Sequence, residues 1–226
     1  MKLSVIIPVY NEAKTISALL QEVRSSPLEK EIIIVDDASF DGTREIIEKL
    51  EDNAIKKIFH TVNQGKGAAI RSALAQAEGD IVVIQDADLE YHPDEYPQLI
   101  KPIVRNRADV VFGSRFIGAH RCFLFTHYAG NKFVNLIANI LYNTNLSDFM
   151  TCYKAFRKEV IKNITITVNR FGVEAEITGK VFKAQYRVYE VPISYSGRNY
   201  SEGKKIKWTD FFVVLWVLVK TRFTAR

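Results

Sequence analysis

The stretch Ile81-Val82-Val83-Ile84-Gln85-Asp86-Ala87-Asp88 decides the fold. Its apolar run is short and unbroken, as in a strand covered on both faces of a parallel sheet, and two carboxylates stand directly after it. Working outward in both directions, strands are expected at Leu3–Val9, Glu31–Asp36, Ile55–Thr61, Ile81–Gln85 and Val110–Phe112. Helical patterns over Glu12–Arg24, Thr43–Leu50, Gly67–Ala77 and Pro93–Asn106 separate them, with Asn11 and Asp41 as caps and Gly79 as a stop. This alternation builds βαβ units around a mostly parallel sheet flanked by helices, an α/β fold. Ligands of such sheets bind beyond the carboxyl ends of the strands, so chemistry is sought in the loops that follow them.

The remainder is less regular. Phe123–Tyr142 reads as an apolar, partly amphipathic helix, and after Thr151–Phe156 come a helix over Val173–Ala184 and a strand over Arg187–Val191. Ser194–Lys207 is polar and reads as a mobile loop before a strongly apolar final helix, Trp208–Arg222. No linker, repeat or low-complexity segment interrupts the 226 residues, which are taken as one domain. With 47% apolar and 25% charged residues, disordered and fibrous classes are excluded. The net charge of +5 lies wholly in residues 197–226, where seven Lys and Arg meet two Asp and Glu. No nucleic-acid partner is expected. Cys122 and Cys152 lack metal-ligand spacing and suit a reducing compartment. No signal peptide is read, and the longest apolar run, Phe211–Val219, has nine residues against the roughly 20 that span a bilayer.

Asp86 and Asp88 sit at the carboxyl edge of the sheet, exposed to a ligand. Like charges keep two carboxylates from a diphosphate unless Mg²⁺ or Mn²⁺ stands between them, so the pair suggests a metal–diphosphate site. Asp36 and Asp37 end the second strand in the same way, and both roles open to them, contact with a nucleobase or ribose and a turn, are expected to be divided between residues. Asn63-Gln64-Gly65-Lys66-Gly67 opens a helix after the third strand, either as a turn or with its N–H groups and Lys66 facing an anion. A Rossmann dehydrogenase is disfavoured, because Pro8-Val9-Tyr10-Asn11-Glu12 replaces the glycine fingerprint. His60, His92 and His120 lack ligand spacing and read as structural or solvent-facing. Of Glu174 and Glu176, two apart on a helix, only one can face a site, and Glu174 is the choice.

Val5-Ile6-Ile7-Pro8-Val9-Tyr10-Asn11-Glu12, Ile34-Val35-Asp36-Asp37-Ala38-Ser39, Asp41-Gly42-Thr43, Asn63-Gln64-Gly65-Lys66-Gly67 and Asp86-Ala87-Asp88-Leu89 occur in an order and spacing that resembles the family-two inverting glycosyltransferases. The branch most similar is that of the polyprenyl-phosphate sugar synthases, such as dolichyl-phosphate mannose synthases. The resemblance implies a GT-A fold in which residues 1–115 bind the nucleotide sugar, 116–200 face the acceptor and 201–226 form a basic, aromatic interfacial helix. It further implies that Pro8, Tyr10 and Glu12 contact the nucleoside, Asp37 the base, and Lys66 the same pocket. Asp86 and Asp88 match the metal acids, with Glu90 a metal or sugar ligand, while Arg115 and Arg198 match phosphate-contacting arginines. His127 and Asn131 fall where mannose synthases place Arg and Ser for the lipid phosphate. Thr151-Cys152-Tyr153-Lys154 looks more like glucosyl or N-acetylhexosaminyl relatives, leaving the donor open between UDP- and GDP-linked sugars.

Worked forward, a metal on Asp88 with Arg198 nearby would neutralise the departing diphosphate. A polyprenyl phosphate carries about −1.5 to −2 charges and needs no strong base, only cationic positioning by Arg115 and His127. Single displacement would invert the anomeric carbon. The rival is a transferase acting on a saccharide or other hydroxyl, with Glu174 as base; a membrane-binding module without catalysis is the third reading. Many family members carry C-terminal membrane helices, whereas here contact with an anionic membrane at its cytoplasmic face is expected from surface segments. Phe211, Phe212, Leu215, Trp216 and Val219 are expected as one apolar stripe, with Lys204, Lys205, Lys207, Lys220 and Arg222 near its ends. A membrane-protein partner or a second copy is the competing occupant of that stripe.

Overall fold

The first strand, β1 (Leu3–Val9), is buried along nearly its whole length, as an unbroken apolar run at the centre of a parallel sheet must be. A computed structural model describes residues 1–122, 124–198 and 210–224. β2 (Lys30–Asp36), β3 (Ile55–Phe59) and β4 (Ile81–Ile84) complete the parallel half in the order β3-β2-β1-β4. Crossovers run through α1 (Ile16–Ser25), α2 (Thr43–Glu48) and α3 (Lys66–Gln76). The strand order reverses between β1 and β4, which opens a crevice at their carboxyl ends, where Tyr10 and Asp86 follow.

The other half mixes directions. After a 3₁₀ turn (Pro93–Glu95) and α4 (Tyr96–Val104) comes β5 (Val110–Ser114); after α5 (Phe125–Tyr142) comes β6 (Lys154–Arg157), antiparallel to both β4 and β5. The short α6 (Lys158–Lys162) and α7 (Val173–Lys183) lead to β7 (Val188–Pro192), parallel to β5, and α8 (Asp210–Phe223) closes the described chain. The result is one sheet, β3-β2-β1-β4-β6-β5-β7, with a core on each face. Val5 and Ile7 of β1 pack with α1 and α4, while Ile6 between them packs toward α3, α5, α7 and α8. Truncating Ile6 to Ala would cost about 2–5 kcal/mol.

Local expectations change in three places. α1 begins at Ile16 rather than Glu12, because Asn11 takes a left-handed φ of 54° and its side chain is spent on the loop after β2 instead of capping. Asp41 stands one residue before the Gly42 cap and accepts from the Thr43 N–H at 3.1 Å. α3 ends before Gly79, whose lack of a side chain serves close approach: a Cβ there would lie 2.6 Å from the Ser4 nitrogen. Of the loop Ser194–Lys207, residues 194–198 are described and fastened, with Tyr195 bridged to His120.

Candidate active site

Two loops at the nucleotide edge are laced together. After β1 and β2, Asn11 Oδ1 accepts from the Phe40 N–H (3.0 Å), Asn11 N–H donates to Ser39 Oγ (2.9 Å), and Glu12 N–H donates to Thr43 Oγ1 (2.9 Å). Ala38 joins Asn11 at positive φ, 61°. Asp36 is buried on Arg44 at 2.7 Å, so this acid is structural. The base contact expected of Asp37 is not open to it, since its carboxylate, in a residue 3% exposed, accepts from His60 Nδ1 and the Gln64 and Gly65 N–H groups. The same bonds correct the Asn63–Gly67 reading. With Gly67 and Ala68 N–H both turned to the Asn169 carbonyl, that loop presents no backbone anion cradle, and only Lys66 reaches the crevice.

At the crevice floor Lys66 Nζ lies 2.6 Å from Asp86 and 2.8 Å from Glu174, and Cys152 Sγ sits 3.3 Å from the same Glu174 carboxylate. Glu176 turns the other way, onto Thr167, Val168 and Lys180, as helical spacing requires. Burial raises the Glu174 carboxyl, but Lys66 overrides it and holds the group at about 2. Beside this cluster Arg198 reaches three acids: Asp88 at 2.9 Å, Glu12 at 3.3 Å and Glu90 at 3.6 Å. Burial, then the charges of Asp86 and Glu90, push Asp88 up to about 7 against the pull of Arg198. Five carboxylates thus face two cations, and this excess of hard oxygen donors suits Mg²⁺ or Mn²⁺.

The three acids do not form the expected ligand triad. Asp86 is turned to Lys66 and Asp88 to Arg198, while Glu90 accepts from the Tyr195 hydroxyl (2.6 Å) and the Arg198 N–H (2.8 Å). Among the described residues no three His, Cys, Asp or Glu side chains converge as a metal set. Asp86 and Asp88 remain the pair able to share a cation with a diphosphate, whose oxygens complete a coordination shell.

On the acceptor side, Arg115 is not the bare cation expected. Its Nε and Nη2 bind Asp148 at 2.7 and 2.8 Å, and its guanidinium lies 5.2 Å from the Tyr195 ring centre. Asp148 is itself placed by Glu190, which accepts from the Ser147 and Asp148 N–H groups. Asn131 is half-buried on α5, and the side chain of His127 lies outside what is described. Tyr195, Asp148 and Glu190 escape sequence reasoning, and Cys152 and the fully buried Lys154, read there only for the donor sugar, join the site unassigned. Lys154 lies under the Phe112 ring, 4.8 Å from its centre, and burial lowers it to about 8.

Residues 4–165 match the family model described as Glycosyl transferase family 2. The chain is 31% identical over 212 residues to the dolichol-phosphate mannosyltransferase of Pyrococcus furiosus, covering 90% of this chain and 59% of that protein. It is 27% identical to the undecaprenyl-phosphate mannosyltransferase of Micrococcus luteus, covering 90% and 87%. In structure it resembles glucosyl-3-phosphoglycerate synthase of Mycobacterium tuberculosis, solved with Mn²⁺, UDP and product, with a TM-score of 0.77 at 20% identity, over 100% of this chain and 81% of that one.

Proposed function

This chain belongs to glycosyl transferase family 2, and on that premise we propose that it moves a hexose or N-acetylhexosamine from a nucleoside-diphosphate sugar to a polyprenyl phosphate, inverting the anomeric carbon. The observation that carries the reading is the acid edge after β4, where Asp86 and Asp88 meet Lys66 and Arg198 at the switch in strand order. Asp88, with Asp86, would hold the metal. A bound Mg²⁺ or Mn²⁺ would neutralise charge on the departing diphosphate. Arg198, given up by Asp88, turns to the same diphosphate oxygens, and Lys66 keeps Asp86 and Glu174 in place beneath the sugar.

A phosphate acceptor is supported over a hydroxyl by the ion pair of Glu174 with Lys66 at 2.8 Å, which engages the carboxylate that the sequence offers as base, whereas a phosphate nucleophile needs no proton removed. The polyprenyl class is supported by the names of the two curated relatives. The metal is supported by the acid excess and by the Mn²⁺ in the structural neighbour.

Access to a lipid acceptor is supplied by surface helices, since no helix among the described residues is long and apolar enough to cross a membrane. The expected C-terminal stripe is split. Phe211 stacks on Phe133 and Leu215 is half-buried, while Phe212, Trp216, Val219 and Phe223 face outward beside exposed Phe125, Leu136 and Ile140 of α5. Lys204, Lys205, Lys207 and Trp208 lie outside the described residues. We place this face on the anionic, cytoplasmic surface of a membrane; the exposed free thiol of Cys122 suits that reducing side.

The test is a panel of UDP- and GDP-linked sugars with Mn²⁺ and either a short polyprenyl phosphate or a saccharide. Metal-dependent transfer to the phosphate alone, with a β-linked product from an α-linked donor, is expected. Transfer to the saccharide hydroxyl and not to the phosphate overturns the reading.

A further inference from the structure

Phe40 lies on the loop after β2, away in sequence from the outward apolar residues of α5 and α8, and the residue is 79% exposed. A single exposed apolar side chain is ordinary on a protein surface; what sets Phe40 apart is a held backbone and a second aromatic ring beside it at the carboxyl edge. Its N–H is held by Asn11, Ser39 N–H points to the Asp36 carboxylate, and Asp41 accepts from Ala13, so the segments 11–13 and 39–43 brace each other. The two left-handed residues, Asn11 and Ala38, flank this brace. Its ring centre lies 6.2 Å from that of Tyr10, the planes inclined at 76°, so the two rings form a corner.

The state of Asp37 gives that corner a use. With its carboxylate spent on His60 and the 64–65 backbone, the acid expected to read a base by its edge is turned inward. A base is then held at this edge through its faces, and aromatic rings are the groups that do so. We infer that Phe40 is a nucleobase-binding residue, closing with Tyr10 an aromatic corner into which the base of the donor stacks. This rests on the nucleoside-diphosphate donor proposed above.

The experiment is calorimetric titration of the full chain, in Mn²⁺, with UDP, GDP and inorganic pyrophosphate, comparing wild type with Phe40→Ala and Phe40→Tyr. Phe40→Ala is expected to weaken whichever nucleotide the wild type binds by about tenfold, within the range of base–aromatic stacking, and to leave pyrophosphate unchanged. Phe40→Tyr, which keeps the ring, is expected to bind as wild type. In turnover the Ala variant raises KM for the donor and leaves kcat unchanged. Because Phe40 is exposed, its truncation is expected to leave the melting temperature unchanged, which separates a binding effect from misfolding. Unaltered nucleotide affinity in Phe40→Ala, or an equal loss for pyrophosphate, overturns the aromatic corner while leaving the donor class standing. A wild type that binds nucleotides no better than pyrophosphate overturns both.

Discussion

The two halves of the sheet solve different problems with different chemistry. In the parallel half, the central strands β1 and β4 carry no charged residue, the acids of β2 are paired, Glu31 with Lys56 and Asp36 with Arg44, and beyond the carboxyl edge Asp86 and Asp88 stay partly open. In the mixed half, charges go inside: Lys154 lies under Phe112, and Asp148 with Arg115 forms a largely buried pair. An acid edge that, on the proposed function, receives a cation and a diphosphate is best left short of positive charge. A wall that must keep its shape beside it is best neutral and interlocked. Charge excess therefore marks the reacting side and charge balance the supporting side.

The contrast predicts opposite outcomes for two substitutions of Asp. Asp88→Asn is expected to lower transfer by roughly three orders of magnitude or more, several kcal/mol of transition-state stabilisation, with the melting temperature held or raised. Relief of repulsion among Asp86, Asp88 and Glu90 is the reason for the second effect. Full activity at micromolar Mn²⁺ would break the comparison. Asp148→Ala leaves Arg115 buried without its counter-charge and is expected to cost about 3–5 kcal/mol of folding stability, read by denaturant titration. A loss of activity with stability intact would move Asp148 and Arg115 to the reacting side.

How much of this was legible follows the same division. Parallel strands announce themselves because both faces are buried, so Leu3–Val9 and Ile81–Ile84 could be placed nearly to the residue. The acids after β4 were legible by position, Arg198 by family resemblance, and the divergence of Glu174 from Glu176 by helical geometry, which does not itself say which of the two turns inward. β6 was not, since Lys154 breaks the apolar pattern that would have marked a strand. The reassignments are all long-range: Asp148 reaches Arg115 across 33 positions and Tyr195 reaches Glu90 across 105. Asp37 was misread for a subtler reason, because a carboxylate that binds a ligand and one that binds its own chain's N–H groups are the same residue in sequence.

A smaller effect is expected at the outward apolar face of α8. Trp216 and Phe212 face outward, and Leu215 and Phe211 inward, although all four lie within six positions of one helix. Trp216→Ala is expected to weaken sedimentation with anionic vesicles by on the order of 2 kcal/mol, about thirtyfold, without altering stability. Leu215→Ala should do the reverse. Equal effects of the two on vesicle binding would mean that α8 does not present a defined face.

The smallest effect tests the seam between the halves. Tyr195 belongs to the supporting side by its ring, which lies under Arg115 and beside Tyr91, and to the reacting side by its hydroxyl, which donates to Glu90. Glu90 in turn holds the backbone and guanidinium of Arg198. Tyr195→Phe keeps the ring and removes the hydroxyl that donates to Glu90 at 2.6 Å. Loss of one hydrogen bond to a charged group is worth about 1.5–3 kcal/mol when it is buried and less when Arg198 can take up the freed carboxylate, so kcat is expected to fall about five- to tenfold. Because the residue positions Arg198 and touches no ligand itself, KM for the acceptor and the Mn²⁺ concentration for half-activation should stay put. If Glu90 is instead a metal ligand in the working enzyme, Tyr195→Phe frees it for that role and the Mn²⁺ requirement falls. A drop in that requirement would therefore place Glu90 with the reacting acids, and an unchanged one keeps it as the latch that carries the order of the neutral wall to the charged edge.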